Sequence, residues 1–354
     1  MENVCPEGLR KLTVKMLGAM GLTSEDAAVG ADVLLAADLR GVDSHGVSRL
    51  ELYYHRLSKG LMKAQPTTKI VQDAGSVVVI DADNGFGICT APRAMDLCIE
   101  RAKKHGIAAV ASRNANHFGI AGYYALKATE ENMIGLVTAN TTPFMAPFGG
   151  RERLLGTNPI ALGVPGKKFP VVLDMATSNV AVGKLQLALR KREKIPLGWL
   201  VDGEGKPTDD PVDLLKGGSL VPMGGPKGYG LAVMVDLLSA LLSGAAVGLD
   251  IGSLVINDRP ECIGHFMLAI DVSRFRPVDE FLAAVDAYID MIKGSQPAEG
   301  VEEIFLPGEI EIRKAEERLT QGIPLSPTVA RTLLRICRTL GIAGEEDTFE
   351  QLVG

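Results

Sequence analysis

No C-x-x-C pair joins any two of the five cysteines, Cys5, Cys89, Cys98, Cys262 and Cys337, and their number is odd. That pattern excludes a disulfide framework and reads as reduced, mostly buried thiols of a cytoplasmic protein. A basic stripe is also missing. With 37 Lys and Arg against 43 Asp and Glu the net charge is -6, so nucleic acid is not an expected partner. The start, Met1 to Pro6, carries no basic region followed by an apolar stretch, the pattern of a secretory leader. The most apolar run, Tyr229 to Leu249, contains Asp236, Ser239 and Ser243. It reads as a buried helix, since a membrane span rarely carries a central Asp. Nucleotide fingerprints are absent as well. Gly85-Phe-Gly87 and Gly228-Tyr-Gly230 each lack the third glycine of G-x-G-x-x-G, and no G-x-x-x-x-G-K-[ST], H-E-x-x-H or G-x-S-x-G occurs.

What is present is a chain of 354 residues, 46% hydrophobic and 23% charged, with 40 glycines beside turn signals. This is enough for a sizeable core and about two domains. Residues 7–20, 24–39 and 47–58 read as helices, the second capped by Thr23 or Ser24. From Pro66 the pattern alternates: strands at 76–80, 107–112 and 134–140, helices at 91–105 and 122–132. Pro159 to Val164 and Val171 to Met175 read as a hairpin about Gly166, which makes the sheet mixed. Helices follow at 178–192, 227–246, 277–293, 308–321 and 327–340, with a strand at 264–272. The expected organisation is a mainly helical domain from residues 1–70 plus 277–354 and a sheet-containing, cofactor-binding domain over 71–276. The fold class is α/β, a mixed sheet covered by helices.

Four segments carry candidate chemistry. In the first, Asp43 or Ser44 is placed to cap a helix. His45, Arg49 and Tyr53 then project from one face, and a titratable imidazole stands beside a fixed cation. Such a pair suits a 2-hydroxy acid: Arg49 holds the carboxylate while His45 meets the neighbouring hydroxyl. A helix N-terminus and the Arg both favour the neutral imidazole. A merely packed His in an N-cap turn has the same sequence. The second segment, Asn114 to Tyr123, follows a strand and contains His117; its alternative is a loop whose Asn side chains build turns. The third pairs Gly156 to Pro159, with Asn158, and Asp174 to Ser178. Amides and hydroxyls there could hold a pyrophosphate, or simply cap a helix. The fourth is Met223 to Gly230, glycines before a helix with Lys227, either a phosphate cradle or a flexible loop. His55, His105 and His265 read as structural or surface residues.

Together the stretches DSHGVSRL (43–50), NANHFGIAGYYA (114–125), APFGG (146–150), GTNPIALGVP (156–165), LDMATS (173–178), GGPKGYGLA (224–232), GHFMLAID (264–271) and FLPGE (305–309) resemble the malate/L-lactate dehydrogenase family unrelated to the Rossmann-type enzymes. That family includes sulfolactate, ureidoglycolate and 2,3-diketogulonate oxidoreductases and a cyclic imino acid reductase. The resemblance implies a non-Rossmann fold with a mixed, largely antiparallel sheet, NAD or NADP as cofactor, and a homodimer with an active site near the subunit interface. It implies that His45 is the proton donor and acceptor and that Ser44, Arg49 and His117 surround substrate and nicotinamide. The segment 140–142, with Thr141, would contact substrate. Asp174, Met175, Ala176, Thr177, Ser178, Pro226, Lys227, Pro307, Gly308 and Glu309 would lie along the cofactor. The run Lys184 to Lys194 is more basic than the family leads one to expect; it bears on a 2′-phosphate, or is a solvated helix face. Two other functions remain open from the residues: reduction of a cyclic imine carboxylate or keto sugar acid in the same pocket, and a metal-dependent hydrolase or lyase built on Asp43, His45 and His117.

Overall fold

The structure is a computed structural model that describes residues 2–342 apart from 255 and 257, and the side chains of these apart from 2, 186 and 190. The last twelve residues assigned above to the helical domain, 343–354, lie outside the described residues.

In chain order the elements are β1 (Glu2–Val4), α1 (Pro6–Ala19), α2 (Ser24–Leu39), α3 (Leu50–Ser58), β2 (Lys69–Asp73), β3 (Val77–Asp81), α4 (Gly87–His105), β4 (Ile107–Ala115), α5 (Ala121–Glu130), β5 (Met133–Ala139), β6 (Ile160–Val164), β7 (Val171–Met175) and α6 (Val182–Lys191). They continue with β8 (Leu200–Val201), β9 (Pro207–Thr208), β10 (Ser219–Leu220), α7 (Pro226–Asp236), β11 (Ile263–Asp271), α8 (Val278–Lys293), α9 (Glu309–Gln321), β12 (Ile323–Leu325) and α10 (Pro327–Thr339). Local chemistry sets many of these ends. Thr23 accepts the N–H of Asp26 at 3.1 Å and so caps α2. Gly106, at φ +87°, ends α4 in a conformation that L side chains avoid.

The main sheet has seven strands in the order β2-β3-β4-β11-β5-β6-β7. Only the β3–β4 pair is parallel; every other pair is antiparallel. The expected mixed sheet is therefore present, and β6 and β7 form the expected hairpin. β11 enters between β4 and β5. These two strands are joined by α5 and run in the same direction, each antiparallel to β11. The polar excursion after α6 holds a small three-stranded sheet, β10-β8-β9. α7 runs on into a π-helical turn, Leu237–Leu241.

Two apolar clusters carry the fold. One joins α1, α2 and α3 to β12 and α10 through Leu9, Leu17, Leu34, Leu50, Ile323 and Leu333. Pairing of β1 with β12 draws the two ends of the described chain together there. The other lies between the sheet and helices α4 and α5, around Met95, Val110, Tyr124 and Met267. α8 does not join the first cluster: it packs on the β6–β7 turn, where Asp286 accepts the N–H groups of Lys167 and Lys168, each at 3.1 Å. Among the described residues no helix is long and apolar enough to cross a membrane.

Candidate active site

The loop between α2 and α3 departs from the expected helix start. Neither Asp43 nor Ser44 caps a helix. A single 3-10 turn, Val47–Arg49, begins behind Gly46 without a side-chain cap, and α3 starts only at Leu50. His45 thus sits ahead of the helix, and its main-chain N–H is bonded to Val42 O at 2.9 Å. Arg49 Nε folds back to donate to Ser44 O at 2.6 Å, which holds the guanidinium beside the loop. Ser44 Oγ lies 2.9 Å from His45 Nδ1. Burial, with Arg49 adding to it, pushes the His45 imidazole down to about 3. The neutral ring follows from desolvation and the neighbouring cation rather than from a helix dipole.

His117 comes from the other side, from the loop that follows β4. Its ring stacks on that of His45, with centroids 5.3 Å apart. Tyr53, on α3 and only 1% exposed, places its hydroxyl 2.8 Å from His117 Nδ1. The Gly119 N–H donates to the same nitrogen at 3.4 Å, so His117 Nδ1 is an acceptor, the Tyr53 hydroxyl donates to it and the His117 proton resides on Nε2. The His117 main-chain N–H donates to Glu261 Oε2 at 2.9 Å. Glu261 is 1% exposed. Burial pushes its carboxyl up to about 7, against the pull of Arg56 and Arg49. Arg56 is itself fully buried.

Five expected residues are thus linked in a chain of contacts, Arg49 to Ser44, Ser44 to His45, His45 to His117 and His117 to Tyr53. Asp43 is not among them. Its carboxylate pairs with Arg318 of α9, so the metal triad of Asp43, His45 and His117 does not assemble, and no group of three possible metal ligands occurs among the described residues. Thr141 is bonded to the 157–158 segment: its Oγ1 accepts the N–H of Thr157 at 3.0 Å, and its own N–H donates to Asn158 Oδ1 at 3.2 Å.

The remaining segments lie along the β6–β7 end of the sheet. Buried Asn158 donates to Ala232 O on α7 at 3.0 Å. Thr177 donates through Oγ1 to Thr157 O, also at 3.0 Å. Ser178 donates to Val180 O at 2.8 Å. Asp174 Oδ2 accepts the N–H of Gly122 at the first turn of α5, at 2.7 Å. Met175 closes β7, and Ala176 follows it. Pro307 O accepts the N–H of Val172 at 2.9 Å, which docks Pro307, Gly308 and Glu309 on the edge of β7. Glu309 is buried between Lys293 and Arg313, each 2.6 Å away. Lys227 stands exposed in the first turn of α7, after Pro226 and behind Gly224 and Gly225, which have φ of +57° and +65°. Pro226 has no N–H, and the amides of Gly225, Gly228 and Tyr229 already donate to Pro222 O, Met223 O and Gly225 O, so the donor this turn offers a pyrophosphate is the Lys227 ammonium. In the basic run after α6 begins, Lys194 pairs with Asp209 at 2.7 Å and Lys184 lies over the Trp199 ring. The continuation of the 174–178 segment into α6 passes the His45 loop: a Cβ built on Gly183 would lie 3.5 Å from Ser44 Cβ.

Three groups near the imidazoles escaped the sequence reading. Arg56 follows Arg49 and Tyr53 at helical spacing, a legible signal. Glu261 has none. His265, read above as structural or surface, is fully buried in β11 and stacks on Phe118 at 4.4 Å, one residue from His117.

The sequence profile of the family described as malate/L-lactate dehydrogenase matches residues 4–334. L-sulfolactate dehydrogenase of Methanocaldococcus jannaschii is 45% identical over 342 residues, which cover 96% of this chain and 98% of that protein. Malate dehydrogenase of Pyrococcus abyssi is 43% identical over 345 residues, 96% of this chain and 95% of that one. The solved structure of the Methanocaldococcus jannaschii sulfolactate dehydrogenase superposes with a TM-score of 0.90 at 44% identity, covering 96% of this chain and 97% of that one.

Proposed function

The chain belongs to the malate/L-lactate dehydrogenase family, and from that premise we propose that it interconverts a small 2-hydroxy acid and its 2-keto acid, of malate, lactate or sulfolactate type, with His45 transferring the proton. The observation that carries this reading is a neutral imidazole held beside a guanidinium, with a second imidazole stacked on it. Arg49 supplies a fixed positive charge for the substrate carboxylate. His45 removes the hydroxyl proton as the C2 hydrogen leaves with its electron pair, and returns a proton to the keto oxygen in the reverse direction. A bound nicotinamide, as NAD or NADP, supplies the hydride acceptor. Holding the acid at Arg49 and the hydroxyl at His45 fixes C2, and such positioning is worth on the order of 7–11 kcal/mol of barrier. The Lys227 ammonium would hold the pyrophosphate, with 174–178 and 307–309 alongside.

The chain forms a homodimer on this reading. Leu231, Met234, Leu237 and Leu241 are exposed at helical spacing along α7 and its π-helical extension, an apolar stripe suited to cover by a second copy. Sedimentation equilibrium should return twice the chain mass of 37.6 kDa.

The activity test follows NADH and NADPH oxidation with pyruvate, oxaloacetate, sulfopyruvate, oxalurate, 2,3-diketogulonate and piperideine-2-carboxylate. Turnover of one of the first three is the expected result. Turnover of the imine or the sugar acid alone would move the substrate class, and no oxidation with any of them would overturn the dehydrogenase reading.

A further inference from the structure

We propose that Asp38 is a positioning residue that pins the backbone carrying His45. The inference rests on the reading of His45 as the proton-transfer residue. Asp38 lies in the last turn of α2 and is 2% exposed. Its Oδ2 accepts the N–H of Val47 at 2.8 Å, two residues beyond His45. The loop closes onto this carboxylate so tightly that a Cβ added to Gly46 would overlap Asp38 Oδ1 and Cγ. On the near side of His45, Asp43 pairs with Arg318, and the same guanidinium donates to the main-chain oxygen of Asp38. Between these two anchors Val42 N bonds to Ala37 O and His45 N to Val42 O, each at 2.9 Å. His45 therefore stands between two fixed points, both tied to the end of α2.

The chemistry of Asp38 argues against a merely space-filling role. Burial pushes its carboxyl up to about 7, with Asp43 raising it further and Arg318 and the Val47 amide opposing. An apolar side chain would avoid that desolvation but leave the Val47 N–H without an acceptor. An acid in this place secures the geometry of the loop at a cost to itself. Since a misplacement of about 1 Å can cost about 100-fold in rate, the anchor is read out in turnover.

The test compares Asp38→Ala, which removes the acceptor, with Asp38→Asn, whose amide oxygen keeps it. Amide exchange of the 42–50 segment and kcat and KM are measured on each. In Asp38→Ala the Val47 amide should exchange about tenfold faster or more, and kcat should fall by about tenfold or more with the cofactor KM within about twofold. Asp38→Asn should restore both. Wild-type exchange or wild-type kcat in Asp38→Ala overturns the proposal, as does an Asn variant no better than Ala. If Asp38→Ala does not fold, Gly46→Ala takes its place, and full kcat there overturns the proposal equally. A His45→Ala control separates the premises. Protection from exchange lost in Asp38→Ala alongside full activity in His45→Ala would sink the role of His45 and leave the anchor standing.

Discussion

At the residue scale the site is defined by which groups are kept uncharged. An imidazole takes up a proton only when free of one, and burial with Arg49 keeps His45 neutral down to about 3. His45→Ala should therefore lower kcat by about 10²–10⁴-fold, the usual worth of a proton-transfer group, while titration of cofactor fluorescence still shows binding. Turnover near the wild-type value in that variant would remove His45 from the reaction. Arg49 has a different signature. Its Nε is already committed to Ser44 O, so on the proposed reading the terminal nitrogens would meet the acid. Arg49→Ala should raise KM for the acid far more than KM for the cofactor. Equal increases would mean that the guanidinium supports the loop instead of gripping the carboxylate.

At the element scale the site depends on backbones that approach too closely for side chains. Gly87 opens α4, and a Cβ there would collide with the main-chain oxygens of Asn116 and His117. α4 is thus seated directly on the loop that presents His117 to His45. Gly87→Ala should cost about 1–3 kcal/mol of stability, as overpacking does, and lower kcat by displacing His117. Gly18, in α1, is the matched control: nothing lies within 4 Å of its added Cβ. Gly18→Ala should stabilise by about 0.5–1 kcal/mol. Equal melting temperatures for the two variants would refute the account of Gly87.

The same close contacts explain what the sequence conceals. Helices α1 and α2 and the β6–β7 hairpin were legible because each rests on spacing or on a local cap, whereas the helical spacing and cap that singled out His45, Arg49 and Tyr53 are not what the fold uses at His45. β2 was not: every residue of Lys69–Asp73 is exposed, so no alternation marks it. β1 and β12 are three residues each and exist only by pairing across the chain. The run from β4 through α5 to β5 carries no sign that β11 will enter between the two strands. Asp38 and Glu261 were invisible for a related reason. Their partners are main-chain N–H groups, at Val47 and His117, which every sequence offers alike.

At the scale of the whole molecule these buried groups pull stability in opposite directions as the pH changes. His45 and His265 are pushed down to about 3 and about 4, and His117 well below its ordinary 6.5. As the pH falls below 6.5 the unfolded chain takes up protons at these rings and the folded one does not, so each imidazole lowers stability toward acid. Asp38 and Glu261 are pushed up to about 7 and Asp236 to about 6. The folded chain protonates these carboxyls first, so each raises stability as the pH falls. Burial raises Asp174 as well, so four carboxyls oppose three imidazoles, and Glu261 offers a way to tip the balance. Glu261→Gln keeps an acceptor for the His117 N–H and removes one group that the folded state protonates between about 7 and the ordinary 4.5. Relative to the parent, the variant should lose stability as the pH falls through that window, by up to about 1.4 kcal/mol per pH unit, the linkage value for one proton. Urea unfolding of both proteins at several pH values measures the difference directly. A stability difference that stays constant from 7 to 4.5 would mean that Glu261 is ionised in the fold, and that Arg56 and Arg49 outweigh its burial.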